Sequence, residues 1–201
     1  SVLSRTMDGY YKNDTTGKDE PDQEEKLIRG TLVWDVNDEL SATLKVEKSS
    51  FDIKGRNIEV IADTAGETGF GLSTVYPFFS GGVALDSDQN FRRQANGDNS
   101  ENDTENLVLT LDYQLGENTL TSVTGYSAYE YEELCDCEYT GLNTFTLGLD
   151  EDFDQFSQEL RIVSPGGETL DYIVGAFYQQ SDLEFKDDFR IPDASALTAL
   201  S

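Results

Sequence analysis

The run from Phe153 to Tyr178, FDQFSQELRIVSPGGETLDYIVGAFY, leaves a chain few ways to fold. Between Phe156 and Ser164 the even positions carry Phe156, Leu160 and Ile162, broken by Gln158. The odd positions carry Ser157, Glu159 and Arg161, with only Val163 apolar among them. Pro165-Gly166-Gly167 follows, a fixed φ and then freedom for positive φ, which is the chemistry of a short reversal. On the return run Leu170, Tyr172, Val174, Ala176 and Tyr178 share one face. Asp171, Gly175 and Gln179 share the other with Ile173 and Phe177. A period of two on each side of a turn signal predicts a β-hairpin. Its second face holds the ionisable side chains Glu159, Arg161 and Asp171, so that face must meet water or a polar lumen.

The same grammar recurs upstream. Ile28, Leu32 and Trp34 share a face with Gly30, and Arg29, Thr31 and Asp35 point the other way. After Asn37-Asp38, Leu40, Ala42, Leu44 and Val46 alternate with Ser41, Thr43, Lys45 and Glu47. Leu107, Leu109, Leu111, Tyr113 and Leu115 alternate with Val108, Thr110, Asp112 and Gln114. Gly116-Glu117-Asn118 turns the chain into the run 119–131. This predicts strands over roughly 1–7, 26–35, 40–50, 105–115, 119–132, 154–164 and 169–185. Long polar loops are predicted over roughly 8–25, 51–104, 133–153 and 186–201. In an up-and-down sheet alternate connections lie at the same end, so every short reversal falls on one rim and every long acidic loop on the other. Short turns at one end, long loops at the other, apolar positions outward and polar ones inward predict an all-β fold. We expect antiparallel up-and-down strands of a transmembrane β-barrel, about seven of them here. Closure of a barrel removes the edges that lipid would not tolerate.

Charge narrows the function classes. The 201 residues include 40 acidic and 14 basic side chains, a net charge of −26, and no His. No basic stripe exists to displace counterions from phosphates, which argues against nucleic acid as a partner. The absence of His excludes His-based triads, His-ligated metals and a His general base. No run approaches the ~18 apolar residues of a spanning helix. The opening Ser1-Val2-Leu3-Ser4-Arg5 has neither an initiator Met nor an apolar leader, so the sequence reads as processed or cut from something longer. Cys135 and Cys137 flank Asp136; a bridge between them closes a very small ring, so they are not expected to act as a structural staple.

The phrases FSQELRIVSPGG with LDYIVGAFYQ, TLTSVTGYSAYEYE, and RGTLVWDVNDELSATLKVE resemble barrel strands of TonB-dependent outer-membrane receptors, and the resemblance covers most of residues 26–185. It implies a barrel of about 22 strands around an N-terminal plug. Such receptors lie in the bacterial outer membrane and take up scarce ligands such as ferric siderophores, vitamin B12 or saccharides, driven by the TonB complex. Neither a plug sequence nor a TonB box lies within these residues, so the coupling residues are not carried over. The resemblance implies an internal part of the barrel wall, with no covalent chemistry and no enzyme activity.

On this reading Lys45, Glu47, Glu159, Arg161 and Asp171 face the lumen; on a soluble sheet they would be a solvated face. Trp34 and Tyr172, close to short turns, are expected in an aromatic girdle at head-group level. Tyr76, Phe78 and Phe79 with Arg92 and Arg93 offer stacking area and bidentate donors for a ligand such as a ferric siderophore. The other reading of that set is a loop mini-core with two solvated arginines. No resident cofactor is expected; the acidic runs Asp150-Glu151-Asp152-Asp154 and Asp98 to Asp103 are at most loose calcium holders, since the second lacks the glycine and terminal glutamate of an EF-hand loop. The rival class is a secreted, soluble β-sandwich for adhesion or carbohydrate binding with cation-binding acidic loops. It has no reason to place all its short turns at one end.

Overall fold

The computed structural model describes residues 1–62, 85–137, 141–167 and 169–192. Among them there is no helix. Seven strands form one antiparallel sheet in the order β1-β4-β5-β7-β8-β9-β10, and three short ones form a second sheet in the order β3-β2-β6. The large sheet comprises β1 (Val2–Met7), β4 (Asp22–Asp35), β5 (Leu40–Lys54), β7 (Asn99–Leu115), β8 (Asn118–Cys135), β9 (Thr146–Val163) and β10 (Ile173–Arg190). The small one comprises β2 (Tyr11–Asn13), β3 (Asp19–Glu20) and β6 (Arg92–Arg93), with β2 antiparallel to β3 and parallel to β6.

The short connections lie together at one end, each built by its own residues. Between β4 and β5, Asn37 Oδ1 accepts from the N–H groups of Glu39 and Leu40, both at 2.9 Å. Between β7 and β8, Gly116 takes φ of 63°, the left-handed value that a two-residue hairpin turn needs. The β9–β10 reversal is wider than Pro165–Gly167 alone. The Ser164 N–H donates to the Tyr172 carbonyl at 3.0 Å, and the Gly167 N–H donates to Asp171 Oδ2 at 3.1 Å. Asp171, expected on a strand facing the lumen, sits in this turn and helps to organise it, two residues before β10 begins at Ile173.

Exposure alternates along the strands and tells the two faces apart. Along β7, Glu101, Asp103, Glu105 and Leu107 are exposed, while Asn102, Thr104, Asn106 and Val108 are half-buried. The more covered face is the concave side of a sheet that curls as barrels do. On the convex face, registered rows such as Leu44–Leu109 and Val46–Leu107, with Leu32 opposite Leu44, make an apolar belt, interrupted on β8 and β9 by the mutually bonded Ser122, Thr124 and Gln158. Leu32 and Trp34 are 62% and 60% exposed, so among the described residues no protein layer covers them. From Leu107 to Leu115 the belt runs eight residues along β7, about 26 Å at roughly 3.3 Å per residue, or about 20 Å along the barrel normal after a tilt of about 40°. That approaches the apolar height of an outer-membrane barrel, roughly 25 Å.

Above the belt the strands continue further than the sequence predicted. β7 begins at Asn99 instead of 105, β9 at Thr146 instead of 154, and β10 runs on to Arg190. The loop segments 8–25, 51–104 and 133–153 are shortened accordingly and hold β2, β3 and β6. The reason is a change of phase. Past the belt, the apolar residues move to the concave face (Phe51, Ile53, Tyr129, Tyr131, Phe153) and carboxylates take the convex one. A pattern that inverts partway along each strand reads as the end of the strand.

The convex carboxylates stand in register: Asp103, Glu130, Asp152 and Glu184 oppose one another across four neighbouring strands. Like charges directly opposed destabilise a sheet. Lys48 with Glu105 at 2.6 Å and Lys186 with Asp150 at 3.1 Å offset this only in part. Raising ionic strength shortens the Debye length from ~30 Å at 0.01 M to ~8 Å at 0.15 M, so the outer half of the sheet is expected to become more stable with salt. Amide exchange at Glu130 and Asp152 in detergent should slow as NaCl rises through this range. Faster exchange at higher salt would contradict the repulsion argument.

Candidate functional site

Two regions on the long-loop side hold chemistry: the upper concave face of the large sheet and the small loop sheet above it. The loop sheet is assembled around one buried guanidinium. Arg93, 4% exposed, donates from Nη1 to Glu20 Oε2 at 3.1 Å and to the Arg56 carbonyl at 2.8 Å, and from Nη2 to Asp98 Oδ2 at 2.7 Å. Glu20 leads into β4, Arg56 follows β5 and Asp98 precedes β7, so one side chain ties the outer ends of three barrel strands. Asp98 Oδ1 also accepts the Asp136 N–H at 2.6 Å, which adds the end of β8. Buried Asn13 completes the set, donating to Glu20 Oε1 at 2.8 Å and to the Ala95 carbonyl at 3.0 Å. A buried charge persists only when paired and hydrogen-bonded, and these bonds supply that condition.

This placement corrects two expectations. Arg93 is enclosed by its carboxylates and does not reach solvent to grip a ligand. Arg92 is exposed, yet its guanidinium is held by Asp14, with Nε to Oδ2 at 3.0 Å. Tyr76, Phe78 and Phe79 lie outside the described residues. Cys135 and Cys137 are joined in a disulfide with a Cα–Cα distance of 5.1 Å. That separation is the span of a tight bend at Asp136 and falls within the range a disulfide bridges, although the short spacing argues against a structural staple. The bridge closes the top of β8 beside the Arg93 network, through the Asp136 carboxylate, which accepts the Asn96 N–H at 2.6 Å.

The sequence also passed over an aromatic group on the loop sheet. Tyr10, Tyr11 and Phe91 meet with ring centroids 5.1 to 6.4 Å apart, and Tyr10 and Phe91 are exposed. Partial burial first, and the Glu59 carboxylate next, push the Tyr11 phenol above its ordinary pKa. Phe91 sits at φ of 60°, left-handed for a bulky residue, and is flanked by the Glu59 carboxylate that accepts from the N–H groups of Asn90 and Arg92. Two aromatics close together at the start and far apart in sequence from the third gave no periodic signal.

On the concave face lie Lys45, Glu47, Glu159 and Arg161. Glu47 pairs with Arg29 across strands, and Arg161 lies 3.4 Å from Glu159. Higher up, Tyr129 and Phe153 stack with centroids 5.1 Å apart and planes inclined by 24°. The Tyr129 hydroxyl donates to Glu151, and the Tyr131 hydroxyl to Glu133 at 2.6 Å. The acidic runs do not gather into cages: Asp150, Asp152 and Asp154 face the convex side of β9, while Glu151 faces the concave one. Among the described residues no group of three or more His, Cys, Asp or Glu is placed to hold a metal ion.

These features define a class: the wall and loop end of an antiparallel up-and-down β-barrel. No protein-family model and no curated protein sequence matches the chain. Among solved structures it is similar to the crystal structure of the ferric yersiniabactin uptake receptor FyuA from Yersinia pestis, with a TM-score of 0.64 and 14% identity. The match covers 95% of this chain and 27% of that one, so the chain spans about a quarter of the receptor's length. The likeness is one of fold.

Proposed function

We propose that this chain forms part of the barrel wall and outer loops of a TonB-dependent receptor in the bacterial outer membrane. The observation that supports it is the uncovered apolar belt on the convex face, with all short turns on one side of it and the loop sheet on the other. Lipid is the solvent that such a belt fits. The concave polar face would line the lumen against a plug that yields to the TonB complex. The loop sheet, with Tyr10 and Phe91 exposed, would meet a scarce small-molecule ligand first. Binding and gating suffice for this task, and no covalent step enters it. Calcium enters only as a diffuse counter-ion of the convex carboxylate rows. A soluble β-sandwich fits less well: the large sheet is single and continuous, and a sandwich would lay a second sheet over Leu32, Leu44 and Leu109.

The test is to express the complete reading frame containing these residues and follow where it goes. It is expected in the outer-membrane fraction, with heat-modifiable mobility on gels, and ligand-dependent growth should vanish when TonB is deleted. Recovery as a water-soluble monomer would sink the proposal.

A further inference from the structure

Cys135 is the last residue of β8, and its bridge to Cys137 encloses Asp136 alone. So short a loop has little closure entropy to lose in the unfolded chain, so the bridge adds little to the stability of the whole fold. Its effect is local. It fixes the backbone of Asp136, a restriction that the surrounding bonds would otherwise have to impose.

Neighbouring segments converge on that residue. Asp136 is 1% exposed; its N–H donates to Asp98 Oδ1 and its Oδ2 accepts the Asn96 N–H, both at 2.6 Å. Gly97 stands between these partners at φ of 117°, a value open to glycine, and turns the chain so that both reach one bend. Asn96 Nδ2 goes on to the Leu142 carbonyl at 2.6 Å, and the Asp98 carbonyl accepts the Gly55 N–H at 2.7 Å. Asp98 Oδ2 holds Arg93, the guanidinium that gathers the loop sheet. Arg56 adds a second tie: it pairs with Glu133, two residues before Cys135, and its Nε lies 3.9 Å from Asp98 Oδ1. The bridged bend is thus one hydrogen bond away from the Arg93 network.

The two cysteines are unequally placed. Cys135 is 3% exposed, whereas Cys137 lies past the end of β8 and is half-buried, so a thiol from solution meets Cys137 first. These are the only cysteines in the 201 residues, so once opened they have no other partner within them.

We infer that the Cys135–Cys137 bridge is a redox-sensitive catch on the loop sheet, closed as the disulfide and released by a small dithiol. An oxidising compartment keeps it closed, and a supplied reductant opens it. One thiolate of the dithiol attacks Cys137 Sγ, the S–S bond breaks, and Cys135 leaves with the electron pair and takes a proton. The second thiolate then attacks the mixed disulfide, Cys137 leaves and is protonated, and the dithiol ends as its own cyclic disulfide. Two electrons pass to the protein, and the two protons lost by the dithiol balance those gained by the cysteines. Asp136 is then free to turn, Asp98 loses one of its donors, and the loop sheet loosens from the strand ends.

The test follows amide exchange by mass spectrometry on the full-length protein in detergent, before and after dithiothreitol, with alkylation mapped to Cys135 and Cys137. Peptides carrying Gly55, Asn96 and Asp136 should exchange at least about tenfold faster after reduction, the effect of losing one hydrogen bond to a charged group. The amides of β7 and β8 below Thr104 should keep their rates, and reoxidation with diamide should restore protection. The double variant Cys135→Ser, Cys137→Ser keeps the side-chain shape; it should exchange at the reduced rate from the start and ignore dithiothreitol. Unchanged exchange with both cysteines alkylated, or a bridge that dithiothreitol does not open in the folded protein, would overturn the inference. So would a double variant that still responds to the reductant, or an opening that spreads through β7 and β8. None of these readouts involves a ligand or TonB, so the catch and the uptake reading stand or fall separately.

Discussion

Arg93→Met is expected to open the loop sheet while the barrel strands stay paired. The substitution leaves Glu20 and Asp98 buried at 4% and 5% exposure without the guanidinium that neutralises them. Removing one partner of a buried ion network costs about 3–5 kcal/mol, because the remaining charges stay desolvated. A short sheet with little apolar core holds little more than that in reserve, so the loss should appear as local opening. Protease cleavage between Asn13 and Glu20 and rapid amide exchange at Asn13 and Asp14 are the measurements, made on the full receptor in detergent. The amides of β7 and β8 below Thr104 should stay protected. Adding Glu20→Gln and Asp98→Asn to the variant should recover most of the protection, since the stranded charges are then gone. Equal protection in the single variant and the native protein would show that the network does not hold the loops.

A charge on the convex belt is expected to act as strongly on the barrel itself. Leu109 lies between Leu44 and Thr124 within the belt. Leu109→Arg places a guanidinium near the bilayer midplane, at a cost of about 2–4 kcal/mol on a lipid-facing position. Thr110→Arg, one residue along, points to the concave side between Thr43 and Val123 and should cost far less. Outer-membrane yield and heat-modifiable mobility should fall for the first variant and hold for the second. Equal sensitivity at both positions, or the reverse order, would mean that the convex face does not meet lipid.

The belt and the turns were legible in the sequence because each rests on a local rule. Leu40, Ala42, Leu44 and Val46 alternate without interruption, and Gly116 and Gly166-Gly167 mark reversals by φ alone. The upper strands were not legible. Asp150, Asp152 and Asp154 look like a solvated loop until Tyr131, Glu151 and Phe185 are found in one row. Gln158 looked like a flaw in the apolar face. It accepts from Thr124 Oγ1 at 2.7 Å and donates to Ser122 Oγ at 2.9 Å, so its amide is satisfied by strand neighbours. The site was harder still. Arg93 next to Arg92 gives no hint that one is enclosed and the other exposed, since Glu20 and Asp98 reach it from distant segments.

Alternation, turn chemistry and charge alone therefore determined that the chain is all-β, antiparallel and up-and-down, with short turns at one rim. The composition also left no His for His-based chemistry. These properties depend on neighbours along the chain, and period and φ preference carry them. The tertiary structure decided where the apolar phase inverts, which acids oppose one another, which arginine is buried, and that Cys135 and Cys137 bond. Each of those depends on strand register and on contacts between residues far apart in sequence, and a one-dimensional pattern does not hold that information.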